Sequence, residues 1–213
     1  MHIAEGVLPG PVLAVGAAAA AAGVAAGLRK MDYERVPRVG VLASAFFVAS
    51  LVHVPVPPSS AHLLLTGLVG LLLGWAAFPA LLVALFLQAV LFGFGGLTAL
   101  GVNTVVMAAP AVACHHLFGH AVRGREGAGV PAVAGFAAGA TGIVLAGALA
   151  SAALLASGKG FAPIAHAVFL AHLPIMGVEG LVTAQAVVFL HKVRPEALEA
   201  PVLGPAAEEV AGA

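Results

Sequence analysis

Residues 7–30 read VLPGPVLAVGAAAAAAGVAAGLRK, an unbroken run of apolar and small residues closed by Arg29 and Lys30. Residues 7–28 suffice to cross a bilayer core, which takes ~20 apolar residues in a helix. A secretory signal carries its basic residues ahead of the apolar run. Here nothing basic precedes Arg29, so the segment is expected to remain as a first span.

The same texture recurs along the chain. After a polar segment, 29–38, come apolar runs at 39–54, 60–75, 78–92, 97–118, 130–157 and 161–190. Pro55, Pro57 and Pro58 interrupt helical hydrogen bonding between the second and third runs. Gly93, Gly95 and Gly96 loosen the backbone between the fourth and fifth. The third and fourth are short and separated mainly by Pro79, so six spans and seven both stay open.

The whole composition agrees. Of 213 residues 62% are apolar, and mean hydropathy is +1.10. Charged residues make up 8%, nine of each sign, against about a quarter in a soluble domain. That excludes a soluble enzyme, a disordered tail and a nucleic-acid binder, which needs a basic surface. A single cysteine, Cys114, excludes an internal disulfide framework. The expected fold is all-α: a polytopic membrane helical bundle of about seven transmembrane helices. One transmembrane domain covers 1–194, and 195–213, with Glu196, Glu199, Glu208 and Glu209, forms a short, loose cytoplasmic tail.

Charge placement orients the bundle. With seven spans and the N-terminus outside, the inner side holds Arg29, Lys30, Arg35, Arg38, Arg123, Arg125, Lys192 and Arg194. Only Lys159 then lies outside, in accord with the positive-inside rule. The C-terminus is therefore expected inside. Gly23 with Gly27, and Gly135 with Gly139, set small residues four apart on single helix faces. General packing within the bundle is the preferred reading; a docking surface for another membrane subunit is the sharper one.

Ionisable groups within spans are costly unless paired or functional. Nine histidines equal Lys and Arg together, a high count for a membrane chain. His2 is the most informative. A metal can take the Met1 amine, the deprotonated His2 amide nitrogen and the nearer imidazole nitrogen in succession. This closes a five-membered and a six-membered chelate ring in one plane and leaves one corner for an external nitrogen. Four coplanar nitrogens suit Ni(II) or Cu(II) better than Zn(II), which prefers tetrahedral sites.

His62, after Pro57-Pro58-Ser59-Ser60, is the leading fourth ligand, with His53 a competitor. An interfacial histidine held by Ser59 or Ser60 is the plainer alternative. Asn103, behind a glycine-rich segment, reads as a helix–helix hydrogen bond or as a group orienting a metal ligand. Glu179 is the one acid well inside an apolar run, and reads as a packing residue or as charge compensation for a cation. Ser60 and His53 join these two as supporting candidates. Cys114, His115, His116 and His120 form a second cluster, read as a solvated loop end before a transient metal site. His166 and His172, near the outer half of the last run, lack identifiable partners in the sequence, and His191 at the inner end reads as interfacial.

These residues together resemble a known family. Met1-His2-Ile3-Ala4-Glu5-Gly6, Ser59-Ser60-Ala61-His62, Phe94-Gly95-Gly96-Leu97-Thr98, Gly101-Val102-Asn103-Thr104, Glu179-Gly180-Leu181-Val182-Thr183 and Val193-Arg194-Pro195 look like the CbiM/NikM proteins. The resemblance spans essentially the whole chain. It implies the substrate-binding subunit of an energy-coupling-factor transporter, a seven-helix bundle with the N-terminus inserted in its outer half. It implies metal bound by Met1, His2 and His62, and uptake by tilting of the subunit in the membrane. The implied partners are a membrane coupling subunit and two cytoplasmic ABC-type ATPases, often with a small accessory membrane subunit. No cofactor is expected; Ni(II) is carried as substrate, with Co(II) the alternative. The stretch 60–74 looks closer to the nickel members.

The chain contains no G-x-x-x-x-G-K-[ST] phosphate loop, so it is expected to lack an ATPase of its own. An intramembrane hydrolase is disfavoured, since neither H-E-x-x-H nor G-x-S-x-G occurs. A passive packing protein would explain the small residues but not Met1-His2, His62 and Glu179 together. A divalent metal on one ionised amide keeps a net positive charge, which Glu179 is expected to offset, directly or through Asn103 and water.

Overall fold

The computed structural model describes residues 2–32, 34, 36–51, 53–56, 59–123 and 127–199. Apolar runs whose prolines, Pro11 and Pro131, fall in the first turn, where proline is tolerated, give the long helices α1 (Gly10–Lys30) and α6 (Gly129–Ala156). Helices α5 (Leu100–Val122) and α7 (Ala162–Val193) continue through Pro110 and Pro174. Between α1 and α5 lie α2 (Val36–Ala49), α3 (Thr66–Leu73) and α4 (Ala77–Phe92).

The proline cluster changes the middle of the chain most. Residues 39–54 and 60–75 were expected as helical spans, but α2 stops at Ala49 and α3 starts only at Thr66. Between them, strands β1 (His53–Val56) and β2 (Ser59–His62) pair antiparallel, with His53 opposite His62 and Pro55 opposite Ser60. Prolines lack the N–H a helix needs and push the preceding residue toward extended backbone. Pro57 and Pro58 lie outside the described residues.

The expected third and fourth spans are α3 and α4. A 3-10 turn at Gly74–Ala76 separates them, with Gly74 at φ 54°. Together 66–92 form one apolar stretch of 27 residues. By length and composition, five stretches among the described residues can cross a membrane: α1, α3 with α4, α5, α6 and α7. Helix α2, at 14 residues, spans about 21 Å and falls short of the ~30 Å hydrocarbon core. Large apolar side chains such as Val15, Val133 and Phe189 face outward, as a lipid-facing surface requires.

Helix α3 sits at the centre, with every residue but Leu68 buried. Glycines allow its neighbours to approach. A Cβ at Gly70 would lie 2.0 Å from the Ala111 carbonyl of α5, and one at Gly67 2.5 Å from the Ala138 carbonyl of α6. The glycine pairs read from the sequence pack inward too. Gly23 faces Phe78 and Gly27 faces Trp75 and Pro79; Gly135 faces Ala184 and Val187 and Gly139 faces Glu179. These faces serve the bundle itself, so the docking-surface reading does not apply to them.

The two ends of the bundle differ chemically. At one end Lys30 lies 4.5 Å over the Trp75 ring, and Trp75 Nε1 donates to His116 Nε2 at 3.2 Å. At that same end the tail, expected to be loose, begins as a short helix, α8 (Glu196–Glu199), with Leu198 buried. Arg38 donates to the Ala197 carbonyl and Arg123 Nε to the Leu198 carbonyl at 3.2 Å. The rest of the tail lies outside the described residues. Asn103 on α5 lies 20 residues from Arg123, about 30 Å along the axis, at the opposite end.

Gly70→Ala is expected to lower the thermal midpoint of the detergent-solubilised protein, at a cost of roughly 1–3 kcal/mol for overpacking. Gly40→Ala, which meets nothing within 4 Å, is the control and should leave the midpoint unchanged or slightly raised. Equal midpoints for the two variants would contradict the close α3–α5 crossing.

Candidate metal centre

The N-terminal segment folds into the bundle. Ile3 and Leu8 are buried among Val102 and Val106 of α5, Ala150 and Leu154 of α6, and Ala165 of α7. Burying such a segment strands its peptide groups unless something pairs them. Asn103 does so: Ile3 N–H donates to Asn103 Oδ1 at 2.9 Å, and Asn103 Nδ2 donates to Ile3 O at 3.1 Å. Asn103 is itself only 2% exposed. Of the two readings from sequence, it acts on the backbone beside His2 rather than as a helix–helix bond.

The ring of His2 is held from α4. Its Nε2 lies 2.9 Å from Gln88 Oε1, and Phe94 flanks it at 6.0 Å between ring centroids. Gln88 Nε2 in turn donates to the Phe47 carbonyl at 3.3 Å and to Ser50 Oγ. Gln88 and Ser50 are fully buried. Neither was singled out in the sequence. The available signal was that Gln88 is the one polar side chain in α4.

The loop after α4 covers the segment, and it needs glycine to do so. Gly95 has φ 78°, and a Cβ there would stand 2.7 Å from Asn103 Nδ2 and 3.4 Å from His2 Cβ. Gly96 has φ 89°, and a Cβ there would stand 2.6 Å from Glu5 Cβ. Both positions need the left-handed backbone and the missing side chain. Thr98 N–H reaches Glu5 Oε1 at 3.4 Å.

Glu179, fully buried on α7, meets the β2–α3 junction. Its carboxylate accepts from Leu64 N–H and from Leu65 N–H, the latter at 2.9 and 3.1 Å to the two oxygens. Leu65 has φ 50°, a left-handed conformation that costs a non-glycine residue of order 1–3 kcal/mol. Leu65 is the N-cap of α3 and Leu64 lies one residue before it, so neither N–H has a partner within the helix, and a carboxylate beside a helix N-terminus is favourably placed. Glu179 thus holds the backbone two and three residues beyond His62. Non-helical backbone at membrane depth survives only where protein satisfies it.

The remaining candidates separate. Met1 lies outside the described residues, as do the side chains of His53, Ser60 and His62; for these three the backbone fixes only their register on β1 and β2. Cys114, His115, His116 and His120 stand on helix α5, not on a loop end. The Cys114 thiol is buried 3.2 Å from the Ala138 carbonyl. His115 Nδ1 lies 3.1 Å from Arg123 Nη2, and His116 accepts from Trp75. Among the described residues no group of three or more His, Cys, Asp or Glu side chains could hold a metal. His172 Nδ1 lies 2.6 Å from the Val168 carbonyl within its own helix, and His166 is exposed.

A polytopic bundle with five apolar stretches of spanning length among the described residues, and with the half-buried His2 ring held against it, defines a class: a multi-pass membrane protein. Comparison with known proteins makes the assignment specific. Residues 2–197 match the cobalt uptake substrate-specific transmembrane region, CbiM, and the chain belongs to that family. It is similar to the cobalt transport protein CbiM of Sorangium cellulosum, 36% identical over 215 residues, covering 93% of this chain and 95% of that protein. It is 34% identical to the fused nickel transport protein NikMN of Rhodobacter capsulatus over 242 residues, covering 98% of this chain and 67% of that one. A crystal structure of a truncated transition metal transporter superposes with a TM-score of 0.73 at 28% identity, covering 90% of this chain and 99% of the other.

Asn103→Leu orphans the Ile3 N–H and C=O. Amide exchange at Ile3 should then quicken by ~10-fold or more, from the roughly 1–3 kcal/mol that an unpaired buried group costs. Helical content should not change. Gly95→Ala should act in the same direction. Unaltered exchange in both variants would show that the segment is held by packing alone.

Proposed function

We propose that this chain is the substrate-binding subunit of an energy-coupling-factor transporter and takes up Ni(II). Metal is bound by the Met1 amine, the His2 amide, the His2 imidazole and His62. The observation that carries this reading is the inserted N-terminal segment, with Ile3 pinned by Asn103 and the His2 ring held by Gln88. A segment placed this way brings the His2 amide and imidazole, two parts of one chelate, to the bundle together.

The clustering of Lys30, Arg38 and Arg123 at the other end supports an outward-facing site, since basic residues favour the cytoplasmic side. Energy comes from partners: a membrane coupling subunit and two cytoplasmic ATPases, with a small accessory membrane subunit in addition. Glu179 serves the site by holding the segment beyond His62, and its charge offsets that of the bound metal. Ser60 and His53, on the strands that carry His62, are its supporting residues in this reading. Planar four-nitrogen coordination favours nickel, and copper is excluded by supply and geometry rather than intrinsic affinity. The same role for Co(II), feeding cobalamin synthesis, is the second reading; the family description and the Sorangium relative, both named for cobalt, favour it.

Equilibrium binding of nickel and cobalt to the purified protein, followed by absorption, tests both. Nickel is expected to give a yellow square-planar spectrum. One Gly added before Met1, and His62→Ala, should each cost more than the ~10–100-fold that loss of an orienting neighbour brings. Affinity should fall on acidification, because amine, amide and imidazoles must all lose protons to bind. Tighter cobalt binding at the same residues would change the cargo. Binding indifferent to the added Gly would remove the N-terminal chelate.

A further inference from the structure

We propose that Gln88 is a positioning residue that sets the tautomer and orientation of His2, and so decides which ring nitrogen meets the metal. The inference rests on the N-terminal chelate proposed above. It follows from the direction in which the Gln88 amide must point.

A glutamine amide has one acceptor oxygen and a two-donor nitrogen. The Phe47 carbonyl, 3.3 Å from Gln88 Nε2, can only accept. Ser50 spends its hydroxyl proton on that same carbonyl at 2.9 Å, so its oxygen is also an acceptor toward Gln88. Turning the amide over would set Oε1 against two acceptors in a fully buried site, where unmet polar groups are costly. The nitrogen therefore faces α2 and the oxygen faces His2.

That oxygen accepts only, so the His2 nitrogen 2.9 Å away must carry hydrogen. The neutral ring is then the Nε2–H tautomer, with its lone pair on Nδ1. Nδ1 is the ring nitrogen nearer the backbone, and it alone closes a six-membered chelate with the His2 amide nitrogen. Nε2 is on the far side of the ring and cannot. Gln88 thus withholds the nitrogen that would bind outside the chelate and presents the one that completes it. Hydrogen-bonding neighbours of metal-bound histidines fix tautomer and ring orientation in the same manner.

Two measurements test this. In metal-free protein labelled with ¹⁵N-histidine, ring nitrogen shifts separate the protonated from the lone-pair nitrogen. His2 is expected to be protonated at Nε2; an Nδ1–H tautomer in the wild type overturns the proposal without any variant. Gln88→Met, close to glutamine in shape, is expected to give a mixture of tautomers and a ~10–100-fold weaker nickel affinity. A folded Gln88→Met protein with unchanged tautomer and affinity also overturns it. Failure of the underlying chelate is distinguishable, because wild-type and Gly-extended proteins would then bind nickel alike.

Discussion

One pair of hydrogen bonds carries the architecture: the Asn103 side chain against the two peptide groups of Ile3. An apolar bundle can admit helices freely because their backbones are internally paired, but it cannot admit an extended chain end on those terms. The Asn103 amide offers one donor and one acceptor in the same plane, and so mimics a strand partner for a single residue. With Ile3 fixed, Leu8 packs on the same apolar wall and His2 reaches Gln88. The glycines of the following loop then have something to lie against.

The same logic recurs at the entry to α3. The backbone entering α3 is non-helical, and Glu179 satisfies two of its amides from α7. A bundle built only from ridges and grooves would have no means to hold such segments. Three buried polar side chains, Gln88, Asn103 and Glu179, supply it, each from a different helix. They are few because each is expensive: Asn103 and Glu179 pair non-helical backbone, and Gln88 ties the His2 ring to the end of α2.

Much of this was legible in the residues. Apolar run lengths give the long helices, and the spacing of Gly23, Gly27, Gly135 and Gly139 gives the close faces, because both depend on local pattern alone. Asn103 and Glu179 stood out because a polar group in an apolar run is visible without a structure. Their partners did not, since Ile3 and Leu64 are 100 and 115 residues away and carry no chemical mark. The paired strands His53–Val56 and Ser59–His62 fall where hydropathy predicts span ends, because hydropathy does not separate a strand from a short helix. Gln88 was passed over because, without charge, it looks like a tolerated core amide until its neighbours are known. The tail's docking depends on two arginines bonding carbonyls, which no side-chain pattern encodes.

The arrangement has a mechanical consequence. His2 is fixed by α4, Ile3 by α5 and the segment past His62 by α7, so the candidate ligands are not mounted on one rigid element. Hydrogen bonds of 2.9 Å weaken steeply once lengthened beyond the normal range. A relative shift of about 1 Å between α4 and α5 would break either the Gln88–His2 or the Asn103–Ile3 link before disturbing the apolar contacts. The close α3–α5 crossing at Gly70 resists that shift from the centre of the bundle. Small residues at the crossings and amides at the N-terminal segment are therefore two parts of one constraint: the packing sets where the helices lie, and the amides convert those positions into the placement of His2 and Ile3.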